Sequence, residues 1–157
     1  MKKIIFFLFL GYSILGCKSD KKPANQTTNV TEAKKISVLP PLPEAHMKII
    51  WEKCDYLDYL FYNTNFTLSQ DDQASIQQFV TFLSNEHATT RKECKSLGRV
   101  FFQEKGEIMY EAEFYFEKGC TYLEFLVDNK PKWHNELTPK GIQFFMNLFK
   151  KAQSGEY

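Results

Sequence analysis

The chain has 157 residues, of which 43% are hydrophobic and 16% aromatic, and its 20 basic residues nearly balance its 19 acidic ones. This length suits one domain, and the aromatic content supports a real core, because each buried ring removes a large apolar area from water. A net charge of +1 supplies no basic field, so nucleic acid is disfavoured as a partner.

The N-terminus is an apolar run, from Ile4 to Leu15, that follows Lys2 and Lys3. A helix needs ~20 apolar residues to cross the hydrocarbon core of a bilayer, and this run is clearly shorter. A positive start followed by a short apolar stretch is typical of a cleaved signal peptide. Without the two lysines the 20 basic residues fall to 18 against 19 acidic ones, a net charge of −1 for the mature chain.

The end of that run, Ile14-Leu15-Gly16-Cys17, resembles the lipobox of bacterial lipoproteins. The resemblance implies that residues 1–16 are removed as a signal peptide, that the Cys17 sulfur carries diacylglycerol and that the new amine is acylated, for example with palmitate. Two or more acyl chains give stable anchoring where one gives only marginal binding. We therefore expect lipidation at Cys17 and membrane attachment in the cell envelope, with the outer membrane as the default location and the periplasmic or surface face left open.

Residues 17–43 are predicted to be the lipidated N-terminus and a flexible tether. They are charged, then polar, and finish in the stiff, extended stretch Leu39-Pro40-Pro41-Leu42-Pro43. A flexible chain of this length has an r.m.s. reach of ~25–30 Å, which would hold a domain clear of the lipid headgroups. The single globular domain is expected over residues 44–157.

The domain opens with Met47, Ile50, Trp51 and Cys54 at helical spacing, which predicts a helix to about Cys54. The residues that follow, up to Tyr62, are rich in strand formers, so a short strand is expected next.

A second helix is predicted to begin at Ser69, a good N-cap, and to end at about Ser84. Its apolar stripe is formed by Ile76, Phe79 and neighbours at i, i+3, i+4 and i+7. Residues 87–97 are predicted to be a polar connection.

Three strands follow. Gly98–Glu104 and Glu107–Glu117 are joined by a Lys105-Gly106 turn, and a third strand covers Thr121–Val127. Asn129-Lys130-Pro131 is predicted to end the sheet.

A last helix is capped by Thr138, with Pro139 at its first position. Helices and strands together predict an α+β fold: two layers, with an antiparallel three- to four-stranded meander packed against helices.

Three cysteines remain if Cys17 carries lipid, and an exported compartment permits a disulfide among Cys54, Cys94 and Cys120. The hairpin register places Cys94 near Glu117, at the sheet end where Cys120 lies. However, the middle strand separates them, and two strand spacings of ~9.6 Å exceed the ~7 Å Cα limit for a disulfide. Cys94–Cys120, Cys54–Cys94 and no bond at all stay open.

Sequence signatures of common enzymes and metal sites are absent, so no catalytic residue and no cofactor is assigned. His87, Cys94 and Cys120 are the least implausible metal ligands, although none has ligand-pair spacing. Glu111 and Glu113 share a strand face ~6–7 Å apart, which overlaps glycosidase geometry. Alternating glutamates on a strand are nevertheless normally just solvated.

Tyrosine and tryptophan are frequent anchors of protein interfaces, although packing in the core is the more usual role in a small domain. The candidate ligand face comprises Trp51, Tyr56, Tyr59, Tyr62, Tyr115 and Tyr122. We expect a non-catalytic envelope lipoprotein, held at the membrane by its lipid, that binds another envelope protein or envelope component. The alternative is an envelope lipoprotein that binds a small ligand or a metal.

Overall fold

The computed structural model describes residues 38–62 and 64–154. The elements in chain order are α1 (Glu44–Lys53), β1 (Tyr56–Phe61), β2 (Thr67–Gln70), α2 (Gln73–Val80), β3 (Leu83–His87), β4 (Gly98–Glu104), β5 (Glu107–Glu117), β6 (Cys120–Val127), β7 (Lys130–Leu137) and α3 (Pro139–Ser154).

All seven strands form one antiparallel sheet, in the order β2-β1-β4-β5-β6-β7-β3. The predicted three- to four-stranded meander is therefore wrong: the fold is dominated by a seven-stranded sheet that carries three helices. Only β4 to β7 follow one another as a meander. The other three strands extend it on both sides: β1 pairs with β4, β2 pairs with β1, and β3 pairs with β7.

The strand β7 contradicts the predicted end of the sheet at Asn129-Lys130-Pro131. Asp128 and Asn129 have φ values of 52° and 58°, which is the pair of left-handed residues that a tight hairpin turn requires. The chain therefore turns back instead of leaving the sheet. Pro131 has no N–H to donate, and it lies where the β6–β7 register shifts between Phe125 and Leu126.

The second helix starts later and ends earlier than predicted. Asp72, not Ser69, is its N-cap, with a carboxylate oxygen 2.8 Å from the backbone nitrogen of Ser75. Ser69 lies instead in β2, opposite Asp58 of β1. The helix ends at Val80. The chain then forms β3, which begins within the predicted helix and ends at the first residue of the predicted polar connection.

Other local predictions are confirmed. The switch from α1 to β1 falls at Cys54–Asp55, and the Lys105-Gly106 turn joins β4 to β5. Pro139 is the first residue of α3, where the Thr138 hydroxyl accepts a hydrogen bond from the backbone nitrogen of Gly141 at 3.3 Å.

The core lies between the helices and one face of the sheet. Phe79 of α2 contacts the rings of Tyr59 and Phe102 at centroid distances of 5.6 and 5.9 Å. Phe145 of α3 stacks on Phe114 at 5.6 Å. Ile50 of α1 is fully buried in the same cluster. In the described part of the chain, all three helices therefore cover the same side of the sheet.

The end of the predicted tether contacts β7. The backbone nitrogen of His134 donates to the carbonyl of Pro40 at 3.0 Å, and the backbone nitrogen of Leu42 donates to Asn135 Oδ1 at 2.9 Å. The Leu42 side chain is only 1% exposed. Packed structure thus begins a few residues before Glu44. Residues 1–37, which include Cys17 and the rest of the predicted tether, lie outside the described residues.

None of the described helices combines the length and the apolar character needed to cross a bilayer.

Candidate functional site

Within the described ranges, one side of the sheet carries no helix, and it is called here the helix-free face. The pairing register of the strands determines which side chains lie next to each other on this face. Arg99, Glu113, Glu124 and His134 lie directly opposite one another along β4, β5, β6 and β7, so they form one row across four strands. Directly opposite residues of neighbouring strands project to the same side of a sheet. This row is the polar centre of the face.

Arg99 holds the two glutamates of β5. Its Nη1 is 2.9 Å from Glu111 Oε2, and its Nη2 is 2.6 Å from Glu113 Oε1. The side chains of Arg99 and Glu111 are each 23% exposed and that of Glu113 is 12% exposed, so water screens these pairs only partly. Burial on its own would lower the pKa of Arg99, but the bonds to Glu113 raise it, so the guanidinium stays charged.

Two hydroxyl groups complete the shell of Glu113. Tyr62 donates to Glu113 Oε1 at 2.9 Å, and Ser96 donates to Oε2. Burial, followed by the bond to Glu113, raises the pKa of Tyr62, so this phenol remains a donor. Glu113 thus joins the turn after β1, the connection before β4 and the centre of the sheet.

A second cluster surrounds Glu124. His134 Nε2 is 2.6 Å from Glu124 Oε2, and the Tyr115 hydroxyl donates to Glu124 Oε1 at 3.3 Å. The rings of Tyr115 and Tyr122 stack at 4.4 Å. Burial, reinforced by the Glu124 charge, raises the pKa of both tyrosines. The other ring nitrogen of His134, Nδ1, is buried and has no partner among the described residues.

The connection between β3 and β4, residues 88–97, is called here the strap. Its two ends lie on opposite sides of β5, β6 and β7, so the strap must pass these three strands. Ala88 and Cys94 of the strap pack with Tyr122 of the helix-free face. A disulfide joins Cys94 to Cys120, with their Cα atoms 5.7 Å apart, and fixes the strap to the start of β6.

The predicted aromatic face is divided. Tyr62, Tyr115 and Tyr122 lie on the helix-free face, although the strap buries Tyr122. Tyr56 lies at the start of β1, opposite Gln103. Tyr59 is fully buried in the core and donates to Gln70 at 3.0 Å, and Trp51 is on α1, 39% exposed. The six residues therefore do not form one surface.

The three cysteines also differ. Cys94 and Cys120 form the disulfide, so neither has a thiol to offer a metal, and Cys54 is a buried free cysteine. Burial raises the pKa of the Cys54 thiol, which keeps it protonated and unreactive. Across residues 38–62 and 64–154, no three or more His, Cys, Asp and Glu side chains are grouped in a way that could hold a metal ion.

No family model, curated protein or solved structure matches this chain.

Sequence reasoning missed four residues of the site: Arg99, Ser96, Glu124 and His134. A register shift in the β4–β5 hairpin, between Phe102 and Gln103, brings Arg99 opposite Glu113. An unshifted hairpin would place it opposite Ala112. Glu124 and His134 could have been found only together with β7, whose Trp133, Asn135 and Leu137 alternate to the core side.

Glu111, Glu113 and Glu124 of the helix-free face form hydrogen bonds and ion pairs with neighbouring side chains. Glu111 and Glu113 are held by Arg99, and Glu124 is held by His134 and Tyr115. General acid–base catalysis needs a carboxyl group that can exchange a proton with a bound molecule. In the structure these carboxylates accept hydrogen bonds from Arg99, His134 and Tyr115.

Proposed function

We propose that this chain is a lipid-anchored protein of the bacterial cell envelope whose helix-free face binds another envelope protein without catalysing a reaction. The anchor is supported by Ile14-Leu15-Gly16-Cys17, and attachment through lipid at Cys17 would place the domain at a membrane surface. The binding role is supported by the composition of the helix-free face.

The observation that carries the binding role is an apolar and aromatic border beside the charged row. Leu60 of β1 lies opposite Arg99 of β4 and is 44% exposed. Phe101 and Tyr56 are half-buried on the same two strands. Aromatic residues, arginine and an exposed aliphatic side chain on a rigid sheet are typical of protein interfaces.

The charges of this face suggest what the partner carries. The four acidic residues Asp58, Glu111, Glu113 and Glu124 outnumber Arg99 and His134 together, so this group of side chains has an excess of negative charge. A partner surface with lysine or arginine around an apolar residue would complement it. Because ion pairs hold Glu111, Glu113 and Glu124, and Asp58 accepts a hydrogen bond from Ser69, little side-chain freedom would be lost on binding.

A photo-crosslinking amino acid at Leu60, in the full lipidated protein in native membranes, tests the binding role. Trp51 is the matched control, because it is 39% exposed but lies on the helix layer. We expect a defined protein adduct from position 60 and little from position 51. Adducts from position 51 alone, or from neither position, would overturn the assignment of the binding face.

The anchor is tested separately with Cys17→Ser. We expect the lipidated protein to stay with the membrane fraction and the variant to be released from it. Equal membrane association of both would contradict the lipid anchor.

Binding of a small molecule is a second candidate function, supported by a cleft of about 210 Å³ between the strap and β6. Thr89 and Arg91 of the strap, Tyr122 and Glu136 line it. These groups suit a small zwitterion, with its carboxylate at Arg91. A panel of free amino acids should then raise the melting temperature of the wild-type protein but not that of Arg91→Ala; no shift in the wild type would dismiss this candidate.

A further inference from the structure

The two outer strands of the described sheet, β3 and β2, differ in the features that hinder pairing with another strand. On β3, the register with β7 shifts between Leu83 and His87, and the Ser84 hydroxyl lies 3.2 Å from the backbone nitrogen of Glu86. A bulge, a side chain that hydrogen-bonds to the strand's own backbone, and a charged residue each hinder an edge strand from pairing with another strand. The β2 edge, Thr67–Gln70, has no charge and no proline, and its pairing with β1 is regular.

A groove of about 510 Å³ runs beside β2, which has no second strand partner among the described residues. Leu68 and Gln70 of β2 line one wall, and Phe144 and Leu148 of α3 line the other. A strand added to β2 would lie ~4.8 Å beyond it and would direct alternate side chains towards the helix layer. The groove is therefore where those side chains would be buried.

Charges are distributed unevenly along this edge. Phe149 of α3 contacts Phe61 at 5.8 Å, and Phe61 contacts Phe66 at 5.0 Å, so the C-terminal part of α3 lies at the beginning of β2. That part of α3 carries Lys150 and Lys151. The other end of β2 is followed by Asp71 and Asp72.

We propose that a second copy of this chain occupies the edge, with β2 of the two copies paired antiparallel around a two-fold axis. Antiparallel pairing would bring Asp71 of the partner subunit to the end of β2 beside which the C-terminal part of α3 carries two positive charges, Lys150 and Lys151. The opposite ends of the interface would then carry the same complementary charges. An uncharged strand paired with its own copy also places no like charges opposite each other.

The sheet faces restrict the register. If the two-fold axis is perpendicular to the sheet, the helices of both copies lie on the same side. Residues that oppose each other must then share a face, because a slip by one residue would turn every side chain over. If Ser69 pairs with a residue of the partner's β2, it therefore lies opposite either Ser69 or Thr67 of the partner subunit. This interface is separate from the helix-free face and does not depend on the proposed function.

The test is site-directed crosslinking of the full lipidated protein in its native membrane. Ser69→Cys places a thiol on the exposed side of β2, and a short bis-maleimide can span either register. The matched control is Glu86→Cys on the opposite edge strand, and the parent chain reports any background from Cys54. We expect a covalent product of twice the chain mass from Ser69→Cys only.

Every other outcome overturns the proposal. A product of a different mass would show that another protein takes the β2 edge. Absence of a product, or equal products from both edges, would show that β2 is not a self-pairing edge. A dimer that forms only after residues 155–157 are removed would show that the chain's own end occupies the groove.

Charge reversal supplies a second, independent measurement. In the Ser69→Cys background, Asp71→Lys and Lys151→Asp should each lower the crosslinked yield several-fold. The two reversals combined in one chain should restore it, because each copy would then meet the opposite charge again. An unchanged yield in both single variants, or no restoration in the double variant, would refute the proposed pairing.

Discussion

Arg99 and Glu113 lie directly opposite each other on β4 and β5, and two nitrogens of the Arg99 guanidinium share one carboxylate oxygen of Glu113. Nη2 is 2.6 Å and Nε is 3.0 Å from Oε1. The pair is only partly exposed to water, and Tyr62 adds a further donor to the same oxygen. Its removal should therefore cost more than the loss of an ordinary surface ion pair.

We predict that Arg99→Met lowers the free energy of unfolding by about 2–4 kcal/mol, because Glu113 and Glu111 lose their counter-charge in a partly buried setting. The control is Lys48→Met, which removes an exposed pair with Glu52 at 3.8 Å and should cost about 0.5 kcal/mol or less. Urea unfolding of both variants gives the comparison. Equal losses would mean that the Arg99 network adds no stability beyond that of a solvated pair.

The Cys94–Cys120 disulfide closes a loop with a sequence separation of 26 residues. In the chain-entropy model such a loop contributes about 3–4 kcal/mol, so the double variant Cys94→Ser/Cys120→Ser should lose that much stability. Each single variant should lose at least as much. Thiol labelling of the unreduced, denatured protein should modify Cys54 but neither Cys94 nor Cys120; labelling of all three would rule out the bond.

The raised pKa values of Tyr115 and Tyr122 predict a loss of stability in alkali. Both hydroxyls hold their protons more tightly when folded than at the ordinary value of 10.0, so their contribution is complete below that pH and declines as the pH rises above it. Stability should therefore fall with a steeper slope above pH 10 in the wild type than in Tyr122→Phe, which keeps the stacked ring. Unfolding curves at a series of alkaline pH values measure the slope of the unfolding free energy against pH for both proteins. Identical slopes would contradict the raised pKa of Tyr122.

Gly98, at the start of β4, is predicted to tolerate no side chain. A Cβ atom there would lie 2.2 Å from the carbonyl oxygen of Leu60 and 2.4 Å from Cζ of Phe114. Gly98→Ala should destabilise the fold by about 3 kcal/mol or more, since neither backbone nor packed ring can move away freely. Gly106→Ala is the comparison: it has open space but a φ of +83°, so about 1–2 kcal/mol is expected. Urea midpoints of the two variants should rank in that order.

Elements whose signal is local could be predicted from the sequence. The Lys105-Gly106 turn, the cap formed by Thr138 and Pro139, and the change from helix to strand near Cys54 all rest on neighbouring residues. In contrast, β2 and β3 have few β-branched or aromatic residues. They are strands because they form backbone hydrogen bonds with β1 and β7, respectively. No local sequence pattern predicts this long-range pairing.

The candidate site was harder to predict from the sequence, because it also depends on pairing between strands that are distant in the chain. Tyr62 and Tyr115 could be recognised by residue type, but their acceptors depend on register. One extra residue in β5, near Met109, moves Glu113 in line with Arg99. The spacing that seemed to separate Cys94 from Cys120 assumed that Cys94 continues the line of β4; the strap leaves that line and meets β6 instead.

The contact between Leu42 and Asn135 joins residues 93 positions apart, and Leu83 of β3 pairs with Leu137 of β7. Neither the entry segment nor β3 can reach its place until the hairpin that contains β7 has been synthesised. In a chain that emerges from a ribosome or an export channel with its N-terminus first, both segments therefore stay unpaired until almost the whole chain has emerged. Closure of such distant contacts is slow, and we expect this protein to stay open to chaperones and proteases until its last strand has emerged.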